Sequence, residues 1–315
     1  MKIIYTVLGE ISGDMLGHCQ IHEHIYVKPT PASKINQALC IDDKSKSIAE
    51  LKDYKAAGGG TILDAQPIYA GRYAELLPDI SRESGVQIIA STGYHLSTFY
   101  DSERGIYHRN EIQLSELFIS ECRDGIRTEC DMDAPAVLPF KAGAIKAAIT
   151  SDNISGAQKK MLFAAATAAK ECKRLLFIHT EAGYGAHDAI MMLRSILPSE
   201  QIMICHADRQ TKDYSMHEKI ADTGAYLDYD TIARHKYHDD EEEVKLIRHM
   251  LSRGYQKQIM LSMDTTSARL LSYGGEFGLK YILTDFVPML KEAGVSDAAL
   301  DDMTKNNAVN ALSQC

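Results

Sequence analysis

The sequence has no run of 18 apolar residues, and so no segment that reads as a membrane-spanning helix. Its seven cysteines are odd in number, scattered and never spaced C-x-x-C, which excludes the pattern of a disulfide framework and of a thiolate zinc knuckle. Cys19 and Cys205 read instead as small core residues beside strand histidines. Positive charge is in deficit, with 34 Lys and Arg against 43 Asp and Glu and a net charge of −9, which argues against a nucleic-acid backbone as partner. No G-x-G-x-x-G follows a strand, so the dinucleotide-binding fingerprint is missing as well. The amino terminus meets Glu10 before any signal-peptide core of the usual length, and the expectation is a cytoplasmic protein without a membrane partner.

What is present is the composition of a folded globular chain, 45% hydrophobic and 24% charged. A length of 315 residues suits two ordinary domains or one large α/β barrel, which needs roughly 250 residues plus insertions. Hydrophobic periodicity favours the barrel. After a leading segment (1–18) that reads as a hairpin around Gly9 to Gly13, helical stretches alternate with short apolar strands. Strands are expected near residues 21, 62, 88, 146, 177, 204, 227 and 260, and helices at 45–57, 72–84, 111–123, 157–172, 186–197, 212–223, 241–253, 277–292 and 297–306. Eight strand–helix units predict a single (β/α)₈ barrel domain over 1–315, interrupted after the third strand by a long loop, 92–140, of the kind that carries function.

The unusual residues fall on the strand ends of that frame. His22 and His24 are two apart in CQIHEHIYV, so an extended strand turns both to one face and Glu23 to the other. His179 ends the fifth strand, His206 the sixth and Asp264 the eighth, all on the face where barrels build active sites. Lys146 lies among Ala144, Ile145, Ala147 and Ala148, where an unpartnered ammonium costs several kcal/mol. Carboxylation would supply the chemical reason, converting the cation to an anion that bridges two metals. Imidazoles with one aspartate suit zinc, and an added oxygen bridge suits a pair of divalent ions.

With these residues in view, the chain resembles the phosphotriesterase-like family of the amidohydrolase superfamily. The resemblance is carried by HEH at 22–24, AGAIKAA at 142–148, IHTEAG at 178–183, CHADR at 205–209, SMD at 262–264 and MTKNNAVNALS at 303–313. Where the family has Asn-Pro before the last helix, this chain has Asn306-Asn307-Ala308, a local change expected to be harmless. The resemblance implies two divalent metal ions, zinc or alternatively manganese or cobalt. It implies that His22, His24 and Asp264 hold one ion, that His179 and His206 hold the other, and that carboxylated Lys146 bridges them. It further implies hydrolysis by a metal-bridging hydroxide, with Asp264 as the catalytic proton acceptor. Glu181 reads as a loop cap.

Family members similar to this chain include phosphotriesterases, acyl-homoserine lactonases and sugar-lactone phosphate lactonases, and loops choose among them. The loop after the seventh strand brings Arg234, Lys236 and Tyr237, and the loop after the eighth brings Arg269 and Tyr273. With Tyr94, His95 and Arg209 these are the expected substrate-binding residues, cationic and phenolic donors suited to a small anionic substrate. SYGGEFGLKYILTDFVP, 272–288, is also similar to the sugar-lactone phosphate branch. The expected function is therefore hydrolysis of a phosphorylated sugar lactone, with phosphoester or acyl-homoserine lactone hydrolysis as alternatives and an inactive barrel that only binds ligand as the alternative of another class. A homodimer is one assembly open to it.

Overall fold

A computed structural model describes residues 2–101, 108–128 and 136–313. Strands β1 (Ile3–Thr6) and β2 (Gly9–Ser12) pair antiparallel as a hairpin. Eight parallel strands follow: β3 (His18–Glu23), β4 (Gly59–Asp64), β5 (Gln87–Gly93), β6 (Ala144–Ala148), β7 (Leu175–His179), β8 (Ile202–Cys205), β9 (Tyr226–Tyr229) and β10 (Ile259–Leu261). Each pairs with its chain neighbour, so the order β3 to β10 runs round an almost closed barrel. The expected fold is the observed one.

Closure between β10 and β3 is made without a regular ladder. The Ser262 hydroxyl accepts from the Ile21 and His22 amides at 3.0 and 3.1 Å, and the Asp264 amide donates to the His22 carbonyl at 3.2 Å. Glu23 completes the seam, its carboxylate accepting from the amides of Met263 and Thr265 and from the Thr265 hydroxyl.

Side-chain alternation explains the two core layers. Ile21, Leu63, Ile89, Ala144, Leu175, Phe177 and Met203 fill the barrel interior, joined from the final helix by Ala308, Ala311 and Leu312. The opposite strand faces pack against helices α1 (Pro31–Ile35), α2 (Lys44–Ala56), α3 (Leu77–Ser84), α4 (Glu111–Arg123), α5 (Gly156–Cys172), α6 (Ala186–Leu193), α7 (Tyr214–Ala221) and α8 (Asp240–Ser252). Capping boxes start α4 at Asn110 and α5 at Ser155, and Asp239 caps α8 ahead of four acids in its first turn, where they face the positive end of the helix dipole. Three further helices, α9 (Val287–Glu292), α10 (Asp297–Asp301) and α11 (Asn307–Leu312), close the chain.

Two helix expectations need correction. The stretch from Arg72 does not become an α-helix until Leu77; Pro78 suits the first turn, while Arg72 lies buried in the preceding loop. The expected helix from Phe277 begins later, with a π-helical turn over Ile282–Phe286 ahead of α9, where Pro288 has no N–H to donate and crowds the preceding turn. Of the long loop at 92–140, Asp131 to Pro135 and Cys130 lie outside the described residues, as does Cys315.

Candidate active site

Strand register delivers the site residues. On β7 the alternating residues Leu175 and Phe177 pack in the barrel interior, so His179, two further on, emerges above them. On β6 Lys146 follows Ala144 by the same step, and its Nζ lies 5.7 Å from the Phe177 ring and donates to the Ala65 carbonyl at 3.0 Å. The end of β5 is glycine for a reason: Gly93 has φ +102°, and a Cβ there would stand 2.0 Å from the Lys146 carbonyl oxygen. On β3 strict alternation would separate Ile21 from His22. A register shift between Gln20 and Glu23 accompanies an arrangement in which Ile21 packs in the interior and His22 also reaches the Phe177 ring, 5.9 Å away.

Six side chains meet in one cavity of about 90 Å³ at the carboxyl ends of the strands: His22, His24, Lys146, His179, His206 and Asp264. Donor atoms of His22, His24 and Asp264 lie within 4.8 Å of one another. Asp264 Oδ1 is 3.3 Å from His24 Nε2 and 3.9 Å from His22 Nε2, while His206 Nε2 is 2.8 Å from His179 Nδ1. Asp264 and His206 both have positive φ, 45° and 67°, a backbone strain common where side chains are aimed for function.

Asp230 orders this cluster, and sequence reasoning passed over it. One of its oxygens lies 3.1 Å from His22 Nδ1 and the other 2.6 Å from His206 Nδ1. Protons on both Nδ1 atoms leave both Nε2 atoms as lone pairs, and His22 Nε2 is buried without a hydrogen-bond partner. His179 Nε2 lies 3.2 Å from Glu181, an arrangement that would turn an unprotonated Nδ1 toward the His206 lone pair. Facing lone pairs need a cation between them. The orphaned nitrogen and this pairing are the features that fit metal ions to the site. The visible signal for Asp230 was the YLDYD stretch, two acids spaced on one face of an otherwise apolar strand.

Electrostatics agrees. Burial lowers the pKa of His24, takes His179 down to about 4 and holds His206 and His95 well below the ordinary imidazole value, so these rings are neutral and their lone pairs free at neutral pH. Burial also lowers Lys146, against the pull of Asp264, toward the neutral amine that carboxylation requires. Asp264 is the reverse case: burial would raise it, but the Arg234 guanidinium, helped by the hydrogen bond from His24, holds it well below the usual carboxylate range.

The expected substrate residues divide into three groups. His95, Arg209 and Arg234 line the central cavity. Arg234 pairs with Asp264 Oδ2, Arg209 approaches the same oxygen at 3.5 Å and pairs with Glu181 at 2.8 Å, and His95 stacks on Phe99 with its ring edge toward His179. Lys236 and Tyr237 stand at the rim, Lys236 Nζ 4.5 Å from the Tyr237 ring, and Tyr237 lines an adjoining cavity shared with Arg209. The other three lie away from the central cavity. Tyr94 donates to the Ala148 carbonyl, Arg269 to the Met263 and Ile232 carbonyls at 2.5 Å each, and Tyr273 to the Asp43 carbonyl. Each gives its donor to a main-chain carbonyl, so these side chains turn inward rather than over the mouth. Val27, Ala38, Leu39, Ile41 and Phe99 supply an apolar wall that the sequence did not announce.

A parallel barrel carrying an imidazole and carboxylate cluster at the carboxyl ends of its strands defines a hydrolase of the metal-assisted kind. The chain belongs to the phosphotriesterase family, whose sequence model matches residues 2–312. It is 30% identical over 328 residues to a phospho-furanose lactonase of Mycoplasmopsis synoviae (99% of this chain, 92% of the relative) and 28% identical over 301 residues to the phosphotriesterase homology protein of Escherichia coli (94% and 98%). Among solved structures, a lactonase from Listeria monocytogenes superposes with a TM-score of 0.90 at 29% identity, covering 99% of each chain. No helix among the described residues is long and apolar enough to cross a membrane.

Proposed function

We propose that this hydrolase opens the lactone ring of a small phosphorylated sugar. The observation that carries the reading is the cavity itself, where two cations, Arg209 and Arg234, stand beside the cluster of imidazoles and Asp264. Its restricted volume suits a compact anionic molecule better than a long acyl chain, and the similarity to a phospho-furanose lactonase points the same way.

His22, His24 and Asp264 would hold one divalent ion, His179 and His206 a second, and carboxylated Lys146 would join them; zinc suits the donors best, with manganese or cobalt as substitutes. Two such ions supply a nucleophile from water at neutral pH and polarise the scissile bond. The chain does the rest. Asp230 keeps the His22 and His206 rings in the tautomer that presents Nε2. Asp264, held ionised by Arg234, accepts a proton at a carboxylate oxygen and returns it to the leaving alkoxide. When an anionic substrate group draws Arg234 or Arg209 away, that carboxylate is freed to act, and binding energy remote from the scissile bond is converted into rate.

The test combines metal analysis with a substrate panel: sugar lactones with and without phosphate, acyl-homoserine lactones and phosphate triesters. The phosphorylated lactone should be preferred, and Arg234→Ala and Lys236→Ala should erode that preference by about tenfold or more, the scale of one charge-assisted contact. Equal turnover of charged and uncharged lactones, unchanged in both variants, would overturn the anionic assignment. Preference for a homoserine lactone or a triester would move the assignment to those substrates, and protein without metal or hydrolase activity would leave a binding protein. For the bridge, Lys146→Ala should lower bound metal from about two per chain to one or none, with partial recovery in short carboxylates.

A further inference from the structure

Beside the catalytic cluster lies a second group of buried ligand-type side chains with no part in the chemistry above. We propose that Asp208, His238 and Glu243 form a separate site for a single divalent cation of the manganese-to-zinc type, between the segments that follow β8 and β9 and the first turn of α8. Their donor atoms lie within 4.8 Å of one another, and all three residues are at least nine-tenths buried.

The tautomer of His238 is set by its neighbour. Its Nδ1 lies 2.9 Å from the Asp239 carbonyl, an acceptor only, so Nδ1 carries the proton and Nε2 presents a lone pair in the neutral ring. That nitrogen lies 3.1 Å from Glu243 Oε2 and 3.0 Å from the Thr231 hydroxyl oxygen, whose one hydrogen goes to Asp208, so only acceptors face it. The Thr231 hydroxyl and amide both turn to Asp208 Oδ2, at 2.7 and 2.6 Å, and so fix that carboxylate in place. What remains is unanswered: Asp208 Oδ1 and both oxygens of Glu243 are buried without hydrogen-bond partners. An imidazole nitrogen facing a carboxylate oxygen, with orphaned carboxylate oxygens alongside, requires a positive charge between them.

That charge can be a proton or a metal ion. Two carboxylates and a neutral imidazole carry two negative charges, which one dication neutralises, and one nitrogen with several oxygens suits manganese or zinc better than calcium.

Crystals of the whole chain grown with manganese chloride alone, and separately with zinc chloride, should show an anomalous-scattering peak between Asp208, His238 and Glu243. Glu243→Gln, of equal size, should remove that peak and lower bound metal by one equivalent per chain while the peaks at His22, His24 and Asp264 persist. Should Glu243→Gln fail to fold, His238→Gln serves, and the wild-type map decides in any case. A wild-type map with metal at His22, His24 and Asp264 but none at the second group would overturn the proposal and leave a shared proton there. Absence of metal at the first group alone would overturn only the catalytic reading.

Discussion

At the scale of single residues, Asp264 and Asp230 divide the labour of one site. Asp264→Asn keeps the shape but removes the proton acceptor, so turnover by metal-loaded protein should fall by roughly 10²–10⁴, the usual scale for a general base. Near-normal steady-state rates would remove Asp264 from the mechanism. Asp230→Asn can accept from one imidazole but not from two, so metal affinity should fall about 10–100-fold in competition with a chelator, with the fold retained. The six proposed ligands stood out in the sequence because each lies within or just after a short apolar strand. Asp230 was not, since its meaning depends on two histidines brought by β3 and β8, and no local pattern encodes that meeting. Tyr94, Arg269 and Tyr273 illustrate the same gap: a loop donor looks alike in sequence whether it faces substrate or a main-chain carbonyl.

At the scale of elements, the loop before α3 is tied to α4 by a buried ion pair. Arg72 donates to both oxygens of Glu121, at 2.9 and 2.8 Å, and Nη1 also reaches the Ser91 carbonyl on β5, so the pair holds α4 against the strand whose last residue abuts Lys146. Glu121→Ala leaves the guanidinium buried and unpaired and should cost about 3–5 kcal/mol, read as a lower urea midpoint. A periodicity search reads Arg72 as helical because nothing in its neighbourhood marks a partner 49 positions away. Gly93→Ala should act on chemistry as well as stability: the new Cβ must displace the Lys146 backbone, so metal content and melting temperature should drop together. A loss of stability with full metal content would show that β6 absorbs the strain elsewhere.

At the scale of the whole molecule, eight strand–helix units were readable because parallel strands buried on both faces produce short apolar runs at regular spacing. Acid sensitivity is likewise a property of the whole. His217 is buried between the Gln210 carbonyl and the Tyr229 hydroxyl, with Asp213 and His249 nearby, and burial lowers its pKa to about 4. The unfolded chain takes up this proton near pH 6.5 and the folded chain only near 4. Stability from this group is therefore complete above about pH 6.5 and is lost as pH falls toward 4, by an amount on the order of 3 kcal/mol. Denaturant melts across that window should show the slope, and His217→Gln should flatten it by about one proton; an unaltered slope would assign the acid sensitivity to other groups.

The seam between β10 and β3 has a kinetic corollary. Its amides answer to side chains, those of Met263 and Thr265 to Glu23 and those of Ile21 and His22 to Ser262, and two proposed ligands, His22 and Asp264, sit on its opposite lips. Opening the seam would separate those ligands, so anything that holds them together also holds the barrel shut. Hydrogen exchange at these four amides should therefore slow on metal addition, while the β6–β7 ladder opposite stays as protected as before.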